Sequence, residues 1–271
     1  RPAETEHRLD MSALAGISLY EPGELVLGAG AATPLCTIEE ALAANRQQLA
    51  FEPADLGPLL GAAAGAGTVG GAIACNLAGP RRIKAGAARD HLLGFTAASG
   101  RGELFKSGGR VMKNVTGFDL SKLITGSFGT LAVITELTLK VLPAPEKTRT
   151  VLVFGNDDAA GVAAMTAALK SPYEVSAAAH LPADIAAASA VGYVKGAGAS
   201  VTAVRIEGPG PSTQSRCDAV RDLLAPFGAV EELHGKNSAA LWREVRDVAF
   251  FTDGTEPYIW RLSVPPVMGA K

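Results

Sequence analysis

Histidine and cysteine are scarce in this chain, and each scarcity removes a class of chemistry. The four histidines, His7, His91, His180 and His234, stand far apart, and neither a His-x-His pair nor a His/Asp/Glu cluster offers the spacing of a metal site. His180 and His234 fall at expected strand ends, as ordinary core or surface histidines or as a base near a cofactor. Cys36, Cys75 and Cys217 are odd in number, widely spaced and without a CxxC, which argues against zinc, an iron–sulfur cluster or a disulfide framework. They read as buried thiols. Basic excess is missing too: a net charge of -2 and a pI near 6.1 argue against a nucleic-acid partner. No run of about 18 apolar residues is free of charge or glycine, so no spanning segment is expected, and the first residues lack an apolar signal core. The protein is expected to be cytoplasmic.

With 48% hydrophobic residues and 19% charged ones, 271 residues suffice for one large core or two smaller ones. The organising stretch is Gly108 to Leu142. Asp119 stands where its carboxylate can cap a short helix over Leu120–Ile124, and Gly126 can close that helix in the left-handed conformation. Gly126-Ser127-Phe128-Gly129-Thr130 pairs glycines with hydroxyls, so bare backbone can approach an anion or a flat ring. A strand follows, with Val133, Leu137, Leu139 and Val141 alternating against Glu136, Thr138 and Lys140, and Pro143 and Pro145 end it.

Leu59 to Gly79 is the second informative stretch. Gly65-Ala66-Gly67-Thr68-Val69-Gly70 fits GxGxxG, but the residues before it are too small for a core strand and Gly79-Pro80 breaks the chain before Asp90, so a Rossmann unit is set aside. A loop entering a helix at Gly70 fits better, with Thr68 and the N–H groups of Val69, Gly70 and Gly71 facing a cofactor. A tightly packed small-residue helix is the other reading. Arg81-Arg82-Ile83-Lys84 through Arg89 is a solvated loop, or a source of arginines that balance a diphosphate or meet a partner subunit.

The order K-N-V-T-G-F-D-L-S-K-L, G-S-F-G-T-L, V-I-T-E, T-L-K-V-L-P within Gly108–Pro143 resembles the second half of the FAD-binding (PCMH-type) domain of the vanillyl-alcohol-oxidase / p-cresol-methylhydroxylase family. Within it, the run is similar to the FAD-binding E-type subunits of bacterial glycolate oxidases. The resemblance covers nearly all the residues present. It implies an α+β fold: a PCMH-type FAD-binding domain of two α/β subdomains over 1–146, then a partial ferredoxin-like α+β cap over 147–271. It also implies a pyrophosphate-binding glycine loop upstream and a final segment downstream, so the chain is expected to be truncated at both ends relative to the family. No Met opens it, and Arg1 to His7 reads as an internal junction.

In the family the T-V-G-G segment lines the flavin, and Asn76 and Gly79 fall where further contacts are made. The expected cofactor-binding residues are Thr68, Val69, Gly70, Gly71, Asn76, Gly79, Asp119, Gly129, Thr130 and Ile134, with no catalytic residue assigned. Many dehydrogenase members carry a tyrosine before the glycine corresponding to Gly86, where this chain has Ala85. The FAD is expected to be noncovalent, because no His, Cys or Tyr occupies the glycine-rich segments around Gly70 and Gly129. The resemblance further implies oxidation of glycolate, a small 2-hydroxy acid, to glyoxylate. The implied partners are a second FAD-containing glycolate oxidase subunit and an iron–sulfur subunit, which could place the complex peripherally at the inner face of the membrane. A self-sufficient FAD-dependent D-lactate or 2-hydroxy-acid dehydrogenase, and a cofactor-free assembly subunit of the same fold, are the alternatives.

Elsewhere the pattern predicts a strand at Leu25–Leu27, a helix capped by Thr33 with Pro34 at its first position and Leu35, Ile38 and Leu42 on one face, and a returning strand at Leu49–Phe51. A hairpin is expected around Ser99-Gly100-Arg101-Gly102. Beyond Glu146, strands at 148–154, 173–180, 201–206, 229–234 and 258–264 alternate with helices at 158–169 and 211–224 and one at 238–248 capped by Asn237. An antiparallel sheet with helices on one side is expected there.

Overall fold

Gly102, at φ +77°, turns the chain back at the tip of the expected hairpin, where the Gly102 N–H donates to Ser99 O at 2.9 Å and Ser99 N–H to Glu103 O at 2.9 Å. The hairpin belongs to a computed structural model that describes residues 7–111, 117–252 and 258–270. Lys113, Asn114 and Val115 of the organising stretch lie outside the described residues. The chain folds as two units: residues 1–53, 63–77 and 87–144 form the first, and residues 54–62, 78–86 and 145–271 the second. Segments 54–62 and 78–86 thus group with the C-terminal part, not with residues 1–146 as the sequence suggested.

In chain order the elements up to Pro143 are β1 (Ile17–Glu21), β2 (Val26–Gly30), α1 (Leu35–Ala43), β3 (Gln47–Gln48), α2 (Val69–Ala74), α3 (Arg82–Ala85, in the second unit), β4 (Leu92–Ser99), β5 (Leu104–Gly108), α4 (Leu120–Ile124), β6 (Ala132–Lys140) and β7 (Leu142–Pro143). β1, β2, β6, β4 and β5 make one antiparallel sheet in that order. α1 lays Leu35, Ile38 and Leu42 into a core shared with Ile73, Leu27, Leu137 and Leu139, and each fully buried Leu or Ile contributes about 1.5–3 kcal/mol.

Three local expectations are corrected. Pro34, not Thr33, is the N-cap of α1, because the buried Thr33 hydroxyl donates instead to Gly30 O at 2.6 Å and accepts from Gly16 N at 2.9 Å. Leu49, Ala50 and Phe51 are buried without being a strand; the short pairing falls earlier, where Gln47 and Gln48 meet Pro143 and Leu142, and Glu52 turns the chain at φ +49°. In β6 the alternation breaks: Thr96 pairs with Glu136 but Ala97 pairs with Ile134, leaving Thr135 over as a bulge. Ile134 is therefore buried and Val133 half-buried, the reverse of a strict period of two.

The second unit continues with β8 (Lys147–Phe154), α5 (Asp158–Lys170), β9 (Ala177–Leu181), α6 (Ala183–Ala187), α7 (Gly192–Lys195), β10 (Val201–Gly208), α8 (Gly210–Leu224), β11 (Val230–His234) and α9 (Gly235–Asp247). The antiparallel sheet runs β11-β8-β10-β9, with α5 between β8 and β9, α6 and α7 between β9 and β10, and α8 between β10 and β11. Helices cover both faces. α5 and α8 pack Ala164, Ala168, Val220 and Leu224 on Val151, Val153, Val204 and Ile206, while α6, α7 and α9 pack Ala186, Val194, Leu241 and Trp242 on Leu152, Val201 and Ala203. The reason is the strand composition: β8 and β10 are apolar at consecutive positions, so both faces must be covered.

α9 begins at Gly235, two residues before the expected cap Asn237. Residues 258–264 pair with no strand, although their sequence has strand character.

Part of the basic run is accounted for within this unit. Arg81 donates from Nε and Nη2 to Glu207 at 3.0 and 2.8 Å, both side chains nearly buried. Arg205, with Nε 3.6 Å from Glu207, lies over the Trp242 ring at 4.9 Å. Burial raises the Glu207 carboxyl, but the Arg81 hydrogen bond and the charges of Arg205 and Arg81 outweigh it and hold the group below the usual carboxylate range.

Candidate functional site

The two glycine-rich stretches of the first unit are brought together. α2 is capped by Thr68, whose Oγ1 accepts from Gly71 N at 3.2 Å. The end of α2 is satisfied by the second stretch: Gly126 N donates to Ile73 O at 3.1 Å and Phe128 N to Ala74 O at 2.9 Å. Asn76, Gly126, Phe128 and Gly129 all take positive φ there. Asn76 Oδ1 also accepts from Arg89 N at 3.1 Å.

Not every expected contact group is open. Val69 N donates to Thr33 O at 3.0 Å and Gly70 N to Ala31 O at 2.8 Å, so these two N–H groups anchor α2 to the loop after β2 and do not face a cofactor. A Cβ on Gly70 would lie 2.6 Å from Ala31 O, so this glycine is required by the fold itself. Gly71 is different: it is exposed, and a Cβ there would meet only Thr68 Oγ1 at 3.3 Å. Gly129 and Thr130 are also exposed, and a Cβ on Gly129 would touch nothing within 4 Å. Ile134 points into the core, and Gly79 belongs to the second unit.

Asp119 caps α4, accepting from Lys122 N at 3.2 Å and from Lys122 Nζ at 2.5 Å. The Lys122 hydrogen bond holds its carboxyl below the usual range. Gly126, at φ +83°, follows the helix as expected. Beside Asp119 is a cavity of about 220 Å³ lined by Arg89, Leu93, Ser107, Phe118 and Lys122 among others. The sequence reading missed Phe118 and Phe128, which are 90% and 72% exposed and border the glycine stretches with apolar surface. Large exposed aromatics next to a glycine pair are the signal that could have singled them out.

The histidines do not form a catalytic set. His91 is buried against Phe51, with ring centroids 5.3 Å apart. His180 contacts Thr202 Oγ1 through Nδ1 at 2.8 Å and approaches Asp158 at 3.3 Å, whereas His234 is exposed at the end of β11. Among the described residues no group of His, Cys, Asp and Glu could hold a metal ion, and no helix is long and apolar enough to cross a membrane.

Residues 3–108 match the family model described as FAD binding domain, so the chain carries an FAD-binding domain of the kind found in flavin-dependent oxidoreductases. It is homologous to the glycolate oxidase subunit GlcE of Escherichia coli (strain K12), being 47% identical over 141 residues, 52% of this chain and 38% of that subunit. The glycolate oxidase subunit GlcD of Bacillus subtilis (strain 168) is 40% identical over 94 residues, 34% of this chain and 20% of that one. A D-lactate dehydrogenase of Anaerostipes hadrus is 44% identical over 86 residues, 32% of this chain and 18% of the enzyme. The chain matches less than half the length of each of these relatives. An alkyldihydroxyacetonephosphate synthase structure shares the fold, with a TM-score of 0.68 at 19% identity over 90% of this chain and 46% of that one.

Gly71 and Gly129 thus leave bare, exposed backbone, with Thr68 Oγ1 the one group near an added Cβ at Gly71 and none near one at Gly129.

Proposed function

We propose that this chain is the FAD-binding part of a subunit in a glycolate-oxidising complex, which converts glycolate to glyoxylate. The observation that carries this reading is the similarity to the GlcE subunit, which extends over 52% of the chain, against 34% and 32% for the B. subtilis subunit and the D-lactate dehydrogenase. Thr68, Gly71, Asn76, Asp119, Gly129 and Thr130 hold the cofactor noncovalently, with Val69 and Gly70 fixing the helix behind them. When bound, FAD supplies the two-electron acceptor for oxidation of an alcohol carbon. The β11-β8-β10-β9 order of the second unit supports a ferredoxin-like cap with α6 and α7 inserted between its second and third strands, and no residue of it is assigned as the base.

The partners are a second FAD-containing glycolate oxidase subunit and an iron–sulfur subunit, in a cytoplasmic complex that meets the inner face of the membrane through them. The test is expression of the full-length protein with and without both partners. Alone it should be yellow, release FAD on denaturation and reduce dyes with glycolate negligibly; together the three should turn over. Full dye reduction by the protein alone with D-lactate or glycolate would favour the self-sufficient dehydrogenase, towards which the D-lactate dehydrogenase similarity points. A colourless protein that rejects added FAD would leave an assembly role.

A further inference from the structure

Residues 258–264, Tyr-Ile-Trp-Arg-Leu-Ser-Val, alternate as a strand does after Ile259: Tyr258, Trp260, Leu262 and Val264 share one face, and Ile259, Arg261 and Ser263 the other. Those four apolar side chains are 81%, 83%, 79% and 52% exposed, and the segment belongs to no sheet. A strand-forming segment in this state leaves a row of large apolar side chains and a ladder of backbone donors and acceptors in water.

The acceptor for such a ladder lies close along the chain. Directly after the segment, the turn at Pro266–Met268 packs on α5, and a Cβ on Gly269 would lie 3.6 Å from Val162 Cγ2. Pro266 and Gly269 line a cavity of about 470 Å³ together with Val162, Met165 and Leu169 of α5 and Ala178 of β9. β9 is the last strand of its sheet and pairs with β10 alone among the described residues, and α3 also contacts it.

We propose that residues 258–264 close onto the edge of β9 away from β10 as a fifth strand, with an apolar side chain of the Tyr258–Val264 face seated in the cavity between α5 and β9. The occupant is this chain's own segment because Pro266 and Gly269, within five residues of it, already stand in the cavity wall. Closure would give the edge strand a second partner and remove the Tyr258–Val264 face from water. Both changes favour the closed state.

The chain has two tryptophans, and Trp242 is buried at 2% exposure, so Trp260 can be read by difference. The fluorescence of the 271-residue protein minus that of its Trp260→Phe variant, a surface change in the open form, gives the Trp260 component. Closure predicts blue-shifted emission and several-fold weaker iodide quenching than in the denatured chain, independent of protein concentration. Leu169→Arg, at a half-exposed cavity wall, should restore quenching without unfolding the protein. Arg261→Pro should lower Tm, because it removes a strand N–H and fixes φ. Red-shifted Trp260 emission with full quenching would overturn the proposal, as would an unchanged Tm for Arg261→Pro. Shielding that appears only as concentration rises would overturn it in favour of a second copy as the occupant.

Discussion

Gly126 N donates to Ile73 O at 3.1 Å, so two glycine stretches separated by some fifty residues form one surface. Ile73 O also accepts from Asn76 N at 3.0 Å, whereas the neighbouring Phe128 N to Ala74 O bond satisfies a carbonyl at the end of α2 that would otherwise need water. The glycines on this surface differ in role, and the difference can be tested.

Gly70→Ala should destabilise the first unit, because its Cβ would stand 2.6 Å from Ala31 O and 2.7 Å from Ala31 Cβ. Overpacking of this kind costs about 1–3 kcal/mol. Gly71→Val and Gly129→Ala meet no such wall, although Gly129 at φ +73° adds strain of about 1 kcal/mol. In the full-length protein, Gly71→Val should keep its circular dichroism and lose flavin, whereas Gly70→Ala should lower Tm and flavin together. Full flavin content in the Gly71→Val and Gly129→Ala variants would remove this surface from the cofactor site.

Thiol reactivity should divide sharply. Burial, with Glu232 nearby, pushes the Cys217 thiol up to about 12, and its side chain is fully enclosed, while Cys36 is exposed. Iodoacetamide at neutral pH should alkylate Cys36 in the folded protein and reach Cys217 only after denaturation. Mass spectrometry of the labelled peptides checks both halves, and labelling of native Cys217 would mean that the α8 face opens in the folded state.

What was legible in the sequence was local. Asp119 as a cap, Gly126 at positive φ and the turn at Ser99–Gly102 each depend on residues within a few positions, and all three are present. What was not legible depends on distant partners. The N–H groups of Val69 and Gly70 look free in the sequence because their acceptors, Thr33 O and Ala31 O, come from another loop. The bulge at Thr135 is set by pairing with Thr96 and Ala97, and no count along β6 alone reveals it. The run from Arg81 left a solvated loop, a diphosphate and a partner subunit all open, because Glu207, which Arg81 binds, lies 126 residues away. Cofactor residues were nameable only through a family resemblance, since a glycine pair by itself is compatible with plain packing.

Glu207 gives a prediction with a definite pH sign. Its carboxyl titrates below the usual range in the folded protein, so its contribution to stability is full above the unfolded-state pKa and disappears as pH falls through the lowered folded one. Glu207→Gln should therefore cost most at neutral pH, about 3–5 kcal/mol for removing one charge of a buried pair. The gap between wild type and variant in denaturant melts should shrink below about pH 4. A gap that stays constant from neutral to acid pH would show that packing, not charge, is what Glu207 provides.

Gly161 and His180 are matched in shape, and a double-mutant cycle can measure the match. A Cβ on Gly161 would stand 2.3 Å from His180 Nδ1 and 2.7 Å from Cε1, so the imidazole lies directly against the bare face of α5. The ring cannot swing aside freely: Nδ1 is 2.8 Å from Thr202 Oγ1, Thr202 is buried, and its hydroxyl also accepts from Asn156 Nδ2 at 3.3 Å. Gly161→Ala should thus lose about 1–3 kcal/mol through the clash, despite the higher helix propensity of alanine. His180→Ala should lose stability by a different route, leaving a cavity and stripping Thr202 of a partner. In the double variant the added methyl enters the space the ring vacated. The two losses should then fall short of their sum by about 1 kcal/mol or more. Strict additivity in urea melts would mean that His180 has room to move, and that the ring is held by Thr202 alone.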